Sequence, residues 1–362
     1  MINRTGGSNL STPESQRAEL DRQRRTVDFD TYDITVDELL RRVERGRLDV
    51  APAYQRKFRW DQHRQSTLIE SIYLDIPIPP LFLAANNEAG QANYWEVVDG
   101  LQRVTTLVNF AGSEDARNRV GLEPDKPLKL DDLKKLANFN GHTFANLPTD
   151  LRTLFEDRPI KVIVLNDKSD ARVRFDLFER INTGGIKLTP QEVRECVFRG
   201  EFIIMLEELA QREVFDIVVK LPQNSQNDST REEYILRFFT YFDRYQQFDH
   251  AVKEFLDNYT LDRVNDPDID RKTVLFEKTF EFLAHCFPDG IQSRKKQTPV
   301  NLFEGLSVGA ALALQINPKI KPPIDLSWVM GEELKQYVSG ATNTRNRVTG
   351  RIEYCRDKFL GK

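Results

Sequence analysis

Apolar and polar positions alternate with helical spacing over two early stretches of the chain. The first stretch predicts a helix over about 36–45, with Gly46 as its C-cap. The second predicts a helix within 62–75. This helix should end before the prolines at 77–80, because proline cannot continue a helix.

Short apolar runs predict strands at Leu81–Leu83, at Tyr94–Val98 and at the β-branched run 160–165. Asp99-Gly100 follows the second run, and the helical pattern of 101–110 comes directly after it. We therefore expect a strand, a tight turn and a helix in succession around Gly100.

Helical patterns also occupy the middle and the end of the chain. One amphipathic pattern predicts a helix over 170–181 with a turn at Gly184-Gly185, and Thr189–Glu192 spells a capping box that starts another helix. Residues 221–231 are rich in Asn, Gln and Ser and predict a linker or a long loop. The residues after this segment show aromatic-rich helical patterns without strand-like alternation.

The length and these patterns predict the organisation of the chain. Its 362 residues suit two or more domains at roughly 150 residues each. The polar residues 1–30 are expected to form a flexible arm or a loosely docked helix, with order beginning near Tyr32. We predict an α+β fold, in which a domain at 31–200 carries a small mixed sheet and an all-helical domain follows at 201–362.

Charge and composition restrict the class of protein. Lys and Arg number 52 against 56 Asp and Glu, a formal net charge of −4, which argues against coating DNA by bulk charge. The longest uncharged apolar stretch, 305–316, is shorter than the roughly 20 residues of a membrane-spanning helix, so no membrane association is expected. Three widely separated cysteines and the polar N-terminal stretch favour a cytoplasmic location.

Two motifs suggest a serine hydrolase and a calcium site, but the surrounding sequence does not support either function. Gly305–Gly309 matches the G-x-S-x-G pattern of serine hydrolases, but all four histidines precede it, whereas that arrangement needs one after the serine. Small residues that let helices pack closely are the better interpretation. A calcium-loop pattern at Asp266, Asp268, Asp270 and Glu277 has Arg271 where the turn needs glycine, so acidic residues at a helix start are favoured.

The histidines also lack zinc-site spacing, and neither a Walker A sequence nor a G-x-G-x-x-G sequence occurs. Three polar clusters in the first 200 residues remain as candidate binding or catalytic sites.

The first cluster is Tyr54–Trp60, where cations alternate with aromatic residues. The cations suit phosphate and the rings offer flat faces for stacking. The alternative is a solvated edge segment.

The second cluster is Asp99–Arg103, between a strand and a helix. The N-terminus of a helix attracts anions, Gly100 permits close backbone approach, and Arg103 could grip a phosphate. Asp99 could hold Mg²⁺ or orient a water, or it could simply cap the helix.

The third cluster is Glu179–Gly185, with Lys187 close behind. Paired glycines can form an anion-binding nest of backbone N–H groups, and they also serve as a helix C-cap.

In this order the clusters resemble the N-terminal domain family of GmrSD-type modification-dependent restriction enzymes, a branch of the ParB/sulfiredoxin-like fold. The matching residues are Gln55-Arg56 through Trp60, Ile69-Glu70-Ser71, PIPP at 77–80, DGLQR at 99–103, FERINTGG at 178–185, and Leu188, Gln191, Glu192 and Arg194. The resemblance covers about residues 34–200. It continues more weakly through Arg231, Glu233 and LRFF at 236–239 to the basic stretch TNTRNRVTGRI.

The resemblance implies a ParB/sulfiredoxin-like domain with a phosphate-binding cleft, nucleotide binding or hydrolysis at its D-G-Q-Q-R motif, and defence against foreign or modified DNA. Leu101 stands where the family usually has Gln, so one polar contact of that motif is not expected here. Complete enzymes of this type also use an H-N-H nuclease domain, whose histidine pairs the C-terminal half lacks. DNA cutting is therefore assigned to a separate polypeptide.

The leading hypothesis is a nucleotide-hydrolysing or nucleotide-sensing subunit of a prokaryotic DNA-defence system. It would use a nucleoside triphosphate and Mg²⁺, with DNA and a separate nuclease subunit as partners. Catalysis is assigned to Asp99, Gln102 and Arg103, with Asp99 as the Mg²⁺ ligand. Phosphate binding is assigned to Gln55, Arg56, Gly100, Asn182, Thr183, Gly184, Gly185 and Lys187.

The alternative is a DNA-binding module that recruits a nuclease without turnover of its own. The tail 342–362 carries six Lys or Arg against two acids, a local net charge of +4, and Arg345, Arg347 and Arg351 are its candidate DNA contacts. The same charges could merely make the last helix soluble. DNA cutting by this chain itself ranks last, because no metal-nuclease ligand set is visible.

Overall fold

One mixed sheet and a series of helices make up the structure, a computed structural model. It describes residues 12–23, 28–50, 58, 60–85, 94–166, 175, 180, 189–198, 200–222, 229–292 and 296–362. Residues 12–166, apart from Phe58, belong to one compact unit within this part, and residues 189–362 belong to a second. The predicted domain limits at 31–200 and 201–362 stay a prediction.

Among the described residues, the sheet of the first unit has five strands. They are β1 (Phe29–Thr35), β2 (Leu48–Asp49), β3 (Leu81–Ala85), β4 (Trp95–Asp99) and β5 (Pro159–Leu165). Their order is β1-β5-β3-β4-β2. β1 with β5 and β3 with β4 are antiparallel, whereas β3 with β5 and β2 with β4 are parallel. The predicted small mixed sheet and the three predicted strands are confirmed.

The strand β1 begins at Phe29, a little before Tyr32, where order was expected to begin. It pairs residue for residue with β5, from Phe29 opposite Leu165 to Thr35 opposite Pro159. Most of its side chains are exposed because it lies at the edge of the sheet, so it lacks the apolar pattern of an internal strand. An exposed helix, α1 (Pro13–Gln23), precedes it.

The helices of the first unit follow the predicted patterns closely. They are α2 (Val36–Glu44), α3 (Gln62–Tyr73), α4 (Leu101–Ala111), α5 (Glu114–Arg119) and α6 (Thr149–Glu156). The apolar faces of α2, α3 and α4 are buried in the same core as the sheet. The predicted helices at 36–45, within 62–75 and at 101–110 are confirmed.

The second unit is helical. Its helices are α7 (Pro190–Val197), α8 (Glu201–Ala210), α9 (Glu213–Val218), α10 (Thr230–Arg244), α11 (Val252–Asp262), α12 (Ile269–Cys286), α13 (Val300–Ile316), α14 (Glu332–Val338) and α15 (Arg345–Phe359). The helices after α7 share one core rich in phenylalanine and tyrosine. This confirms the prediction that helices make up the C-terminal half. In the predicted helix over 170–181 the structure describes Phe175 and Arg180, both helical, and the turn at Gly184-Gly185 lies outside the described residues.

The predicted capping box starts α7. The Thr189 side chain accepts from the Glu192 backbone N–H, and the Glu192 carboxylate accepts from the Thr189 backbone N–H. Pro190 occupies the first helical position. This helix directly follows the third polar cluster in the chain.

Buried ion pairs join the helices of the second unit. Arg194 on α7, only 1% exposed, donates to Asp257 Oδ1 at 2.7 Å and pairs with Glu233. Glu233 also pairs with Arg237, and Arg237 pairs with Glu304 on α13. The Q-E-x-R residues of α7 are therefore used inside the helical unit, where a charge without a partner would be costly.

The G-x-S-x-G sequence lies inside α13, against α15. A Cβ atom on Gly309 would lie 2.7 Å from Cys355 Cβ, and one on Gly305 would lie 3.2 Å from the Arg351 carbonyl oxygen. Ser307 is fully buried. The close helix packing predicted for this sequence is confirmed.

The acidic residues of the calcium-loop pattern lie at the start of α12. Asp266 Oδ1 accepts from the Asp268 backbone N–H at 3.0 Å, and Asp266 forms ion pairs with Arg263 and Lys272. Asp268 is the N-cap of α12, and Asp270 lies in its first turn. These positions agree with acidic residues at a helix start.

No helix in the described part of the chain is both long and apolar enough to cross a membrane.

Candidate functional site

The strand β4 turns into the helix α4 at Gly100. Gly100 is the N-cap of α4 and has a φ of +107°, a conformation that L side chains rarely adopt. A Cβ atom here would lie 2.4 Å from Leu81 Cδ2 on β3. The turn and the packing on β3 both require a glycine here. From the sequence, Gly100 was expected to let a phosphate approach the backbone.

An ion pair joins the two ends of this turn. Arg103 Nη2 donates to Asp99 Oδ2 at 2.7 Å. The Asp99 side chain is 44% exposed, whereas the Arg103 side chain is only 11% exposed. Asp99 precedes the N-cap and is held by this guanidinium, so the turn presents a fixed and accessible carboxylate.

Arg103 also fastens the proline-rich loop before β3. Its Nη1 donates to the carbonyl oxygens of Pro79 and Pro80, the second at 3.1 Å. Burial lowers the pKa of the Arg103 guanidinium, and the Asp99 carboxylate opposes that shift. Three of its five N–H groups are used by protein acceptors, which leaves at most two for a phosphate.

Gln102 has a contact that the sequence did not indicate. Its Oε1 accepts from the Trp60 backbone N–H at 3.0 Å, and its carbonyl oxygen accepts from Thr106 Oγ1 at 2.7 Å. The side chain expected to take part in catalysis therefore holds the end of the first polar cluster, Tyr54–Trp60, beside the turn.

Leu101, the third residue of the Asp99–Arg103 cluster, is half-buried and packs against the apolar core of the first unit. Leu101 therefore adds an apolar contact at the start of α4.

Several predicted phosphate-binding residues lie outside the described residues. They are Gln55, Arg56, Asn182, Thr183, Gly184, Gly185 and Lys187. Of the first cluster, the structure describes Phe58 and Trp60, both half-buried. Among the residues predicted for catalysis or phosphate binding, the structure describes Asp99, Gly100, Gln102 and Arg103.

Two amide side chains near the turn, Gln65 and Asn109, are not among the predicted site residues. Gln65 on α3 is 6% exposed, and its Nε2 donates to the Trp60 carbonyl oxygen at 3.0 Å. Asn109 Nδ2 on α4 donates to Gln65 Oε1 at 2.7 Å. A signal for Gln65 was available, because it lies three and four residues before Leu68 and Ile69 and so shares their apolar face.

Asp99 is the predicted metal ligand, and its side chain is 44% exposed. In the described residues no group of three or more His, Cys, Asp or Glu side chains is placed to hold a metal. Mg²⁺ usually keeps several waters and binds through one or two carboxylates together with substrate phosphates. An accessible Asp99 carboxylate fits that mode of binding.

The candidate DNA contacts at the C-terminus are corrected in part. Arg351 is fully buried, forms an ion pair with Glu304 and donates to the Thr342 carbonyl oxygen at 2.7 Å. A buried, paired guanidinium cannot reach DNA phosphate, so Arg351 is removed from the candidates. Arg345 is exposed and Arg347 half-buried, and each donates to a backbone carbonyl oxygen.

Comparison with known proteins gives a family match over this region. Residues 36–199 match the family described as GmrSD restriction endonuclease, N-terminal domain. The matched range contains the sheet strands β2 to β5, the Asp99–Arg103 turn and α7. No curated protein matches the chain.

Proposed function

Because residues 36–199 match the family described as GmrSD restriction endonuclease, N-terminal domain, we propose that this chain binds and hydrolyses a nucleoside triphosphate within a restriction system. The family indicates a DNA-defence protein, with DNA as the substrate of the system. The nucleotide, its hydrolysis and a separate nuclease subunit are parts of the proposal.

The fixed carboxylate of Asp99 carries this proposal. It lies at the N-terminus of α4, where the first backbone N–H groups lack partners within the helix and favour an anion. Arg103 holds the carboxylate at 2.7 Å while leaving it 44% exposed. Asp99 can hold a metal ion, and the start of α4 attracts an anion. Together these two features suit a metal-dependent phosphate site.

Asp99 would act on the nucleotide in one of two ways. Mg²⁺ bound to it would neutralise the charge of the phosphate groups. Asp99 can also orient the attacking water and accept its proton, as the water oxygen bonds to the terminal phosphorus and the bond to the bridging oxygen breaks. Both roles need the carboxylate to be fixed, and the Arg103 ion pair fixes it.

Arg103 and Gln102 support the site mainly by positioning other groups. Arg103 joins Asp99 to Pro79 and Pro80, and its remaining N–H groups are available to a phosphate oxygen. Gln102 holds Trp60. The sequence also assigns phosphate binding to residues that lie outside the described part of the chain: Gln55, Arg56, Asn182, Thr183, Gly184, Gly185 and Lys187.

DNA cleavage is assigned to a partner chain in this proposal. The C-terminal half lacks the histidine pairs expected of an H-N-H nuclease domain, and this supports the assignment. The nucleotide site would then sense or drive a step that precedes cleavage.

Equilibrium binding of a fluorescent nucleotide tests the proposal. Wild type should bind in Mg²⁺ and lose affinity in excess chelator, and Asp99→Asn should lose the Mg²⁺-dependent part. Asp125→Asn, which changes an exposed acid elsewhere in the first unit, is the matched control and should bind as wild type does. Wild type that binds no nucleotide would contradict the proposal.

The second candidate is a DNA-binding module that recruits a nuclease without turnover. The engagement of Arg103 and Gln102 with protein atoms favours it, because two of the three side chains assigned to catalysis already have structural partners. Its remaining tail contacts are Arg345 and Arg347. DNA binding that needs no nucleotide and becomes less salt-dependent in Arg345→Ala/Arg347→Ala would favour this candidate.

Deletion of the tail is unsuitable for that experiment. Val348, Ile352, Cys355 and Phe359 of α15 are buried in the core of the second unit, so removing them would destroy packing.

A further inference from the structure

A cavity of about 300 Å³ with mainly polar walls lies inside the second unit, where the ends of α10 and α11 meet the start of α12. Its charged lining residues are Asp243, Arg244, Arg263, Asp268, Arg271 and Lys272. Phe242 and Leu275 add an apolar side to the wall. This volume is at the lower end of the range for small-molecule sites.

Two of the four cations in the wall are held by neighbouring carboxylates. Arg244 Nη1 donates to Asp262 Oδ2 at 2.9 Å, and Lys272 Nζ donates to Asp243 Oδ2 at 2.9 Å. Lys272 is only 6% exposed. Tyr259 Oη donates to the same Asp243 oxygen at 2.6 Å. Arg244 and Lys272 therefore have structural partners within the helical unit.

Arg263 is paired more loosely. Its Nη1 lies 3.6 Å from Asp266 Oδ1, and its Nη2 lies 3.8 Å from Asp243 Oδ2, both beyond hydrogen-bond distance. Its Nε is buried and has no hydrogen-bond partner among the described residues. Because a guanidinium has five N–H donors, Arg263 keeps donors for an acceptor in the cavity.

Arg271 is exposed at the cavity wall, and its side chain forms neither an ion pair nor a hydrogen bond with another described residue. It lies in the first turn of α12. The helix dipole disfavours a positive charge in a first turn and favours an anion there. The formation of α12 therefore does not explain this arginine, whereas a bound anion would stabilise it.

We propose that this cavity binds the phosphate group of a small ligand, with Arg263 and Arg271 as its ligands. Arginine can donate two parallel hydrogen bonds to a phosphate, and such charge-assisted bonds are stronger than those between neutral groups. Asp262 and Asp266 balance the charge of the wall from outside the cavity, so free donors and not net charge define the site.

This site is separate from the proposed nucleotide hydrolysis. All of its lining residues belong to the second unit, whereas Asp99 belongs to the first. Asp268 is the acid of the wall that would repel the phosphate, because it lines the cavity and its side chain does not cap α12. Removing that charge should therefore strengthen binding, which gives the test a sign that general surface charge does not predict.

Isothermal titration of the full-length protein with inorganic phosphate, pyrophosphate or a nucleoside monophosphate tests the site. Excess chelator at constant ionic strength keeps out the Mg²⁺-dependent binding proposed for Asp99. Wild type should bind at least one of the three compounds. Arg271→Met should weaken binding by about tenfold or more, because a charge-assisted contact is lost. Its urea midpoint should stay at the wild-type value, since this side chain has no described partner to lose.

Three further variants separate a built site from surface charge. Arg263→Lys keeps the charge beside Asp266 and removes the planar donors, so it should also weaken binding about tenfold. Asp268→Asn should tighten binding by about threefold. Lys278→Met removes an exposed cation about two turns further along α12, outside the cavity, and should bind as wild type does.

The outcomes distinguish the source of the phosphate. Tighter binding of the monophosphate than of inorganic phosphate would support a nucleotide as the ligand, and equal affinities would support recognition of the phosphate group alone. Wild type that binds none of the three compounds would overturn the inference, and so would equal losses in Arg271→Met and Lys278→Met. Binding of duplex DNA alone, weakened in Arg271→Met, would assign these cations to a nucleic-acid surface and would also overturn it.

Discussion

Arg351 and Glu304 form an ion pair in the core of the second unit, where their side chains are 0% and 1% exposed. The pair joins α15 to α13, and Glu304 also accepts from Arg237 Nη1 at 2.8 Å. A basic residue that the sequence offers as a DNA contact is thus part of the helical core.

Removing this arginine should therefore act on stability. Arg351→Met leaves Glu304 buried with one cation fewer, and we expect a loss of about 3–5 kcal/mol in the free energy of unfolding. Arg345→Ala, on the exposed start of the same helix, should change it by no more than about 0.5 kcal/mol. Urea denaturation of both variants measures the difference, and equal stabilities would contradict the buried ion pair.

The Gly100 turn gives a second prediction. Gly100→Ala combines an unfavourable φ with a contact to Leu81 that is too close, whereas Gly121→Ala has a positive φ with open space around it. Strain alone should cost Gly121→Ala about 1–2 kcal/mol. Gly100→Ala should lose more than this, and its loss should be relieved by Leu81→Ala in the double variant relative to the sum of the single changes. An additive double variant would exclude the contact.

The shape of the Arg103 guanidinium gives a third prediction. Arg103→Lys keeps the charge, but an ammonium group cannot match the planar geometry that reaches Pro79, Pro80 and Asp99 together. We expect a loss of about 1–3 kcal/mol in the free energy of unfolding. The control Arg64→Lys, on an exposed position of α3, should be neutral. Thermal or urea unfolding of Arg103→Lys and Arg64→Lys measures the two losses of stability. Equal losses would contradict this role of the Arg103 guanidinium.

The buried carboxyl of Glu195 gives a prediction on pH. Burial raises the pKa of Glu195 well above its usual range, and the nearby Glu232 and Glu207 add to this, while the hydrogen bonds from Ser229 and Gln191 oppose it. Ser229 Oγ donates to one oxygen at 2.6 Å and Gln191 Nε2 to the other at 3.0 Å. The folded state therefore favours the protonated carboxyl.

This contribution to stability is complete below the unfolded-chain pKa of about 4.3 and is lost as the pH rises from there through the raised pKa of the folded state. Glu195→Gln is neutral at every pH, so its stability relative to wild type should increase between pH 5 and pH 8, as measured by urea midpoints. Glu208→Gln, an exposed change, should show no such trend. A pH-independent difference for Glu195→Gln would show that Glu195 titrates normally.

Local patterns were sufficient for much of the fold. The helix at Val36–Glu44, the strand at Trp95–Asp99 and the capping box at Thr189 follow from short-range spacing and cap chemistry, which the sequence displays directly. β1 could not be found in this way. Its partner β5 lies about 130 residues away, and as an exposed edge strand it has no apolar alternation of its own.

In the candidate site too, local spacing predicts some features, whereas others depend on residues far apart in the chain. The closeness of Asp99 and Arg103 follows from their spacing across one turn. The commitment of Arg103 to Pro79 and Pro80, and of Gln102 to Trp60, depends on contacts 23 to 42 residues apart, which spacing within a motif cannot show. The sequence therefore located the turn correctly and did not reveal that its side chains hold neighbouring segments.

The central claim is nucleotide hydrolysis at Asp99, and phosphate release tests it most directly. Wild type, Asp99→Asn and Asp125→Asn are each mixed with ATP, GTP, CTP or UTP in Mg²⁺, with and without DNA. Wild type and Asp125→Asn should release phosphate from at least one nucleotide, and Asp99→Asn should be slower by about 100-fold or more. No release by wild type under any of these conditions, or equal release by Asp99→Asn, would contradict the account.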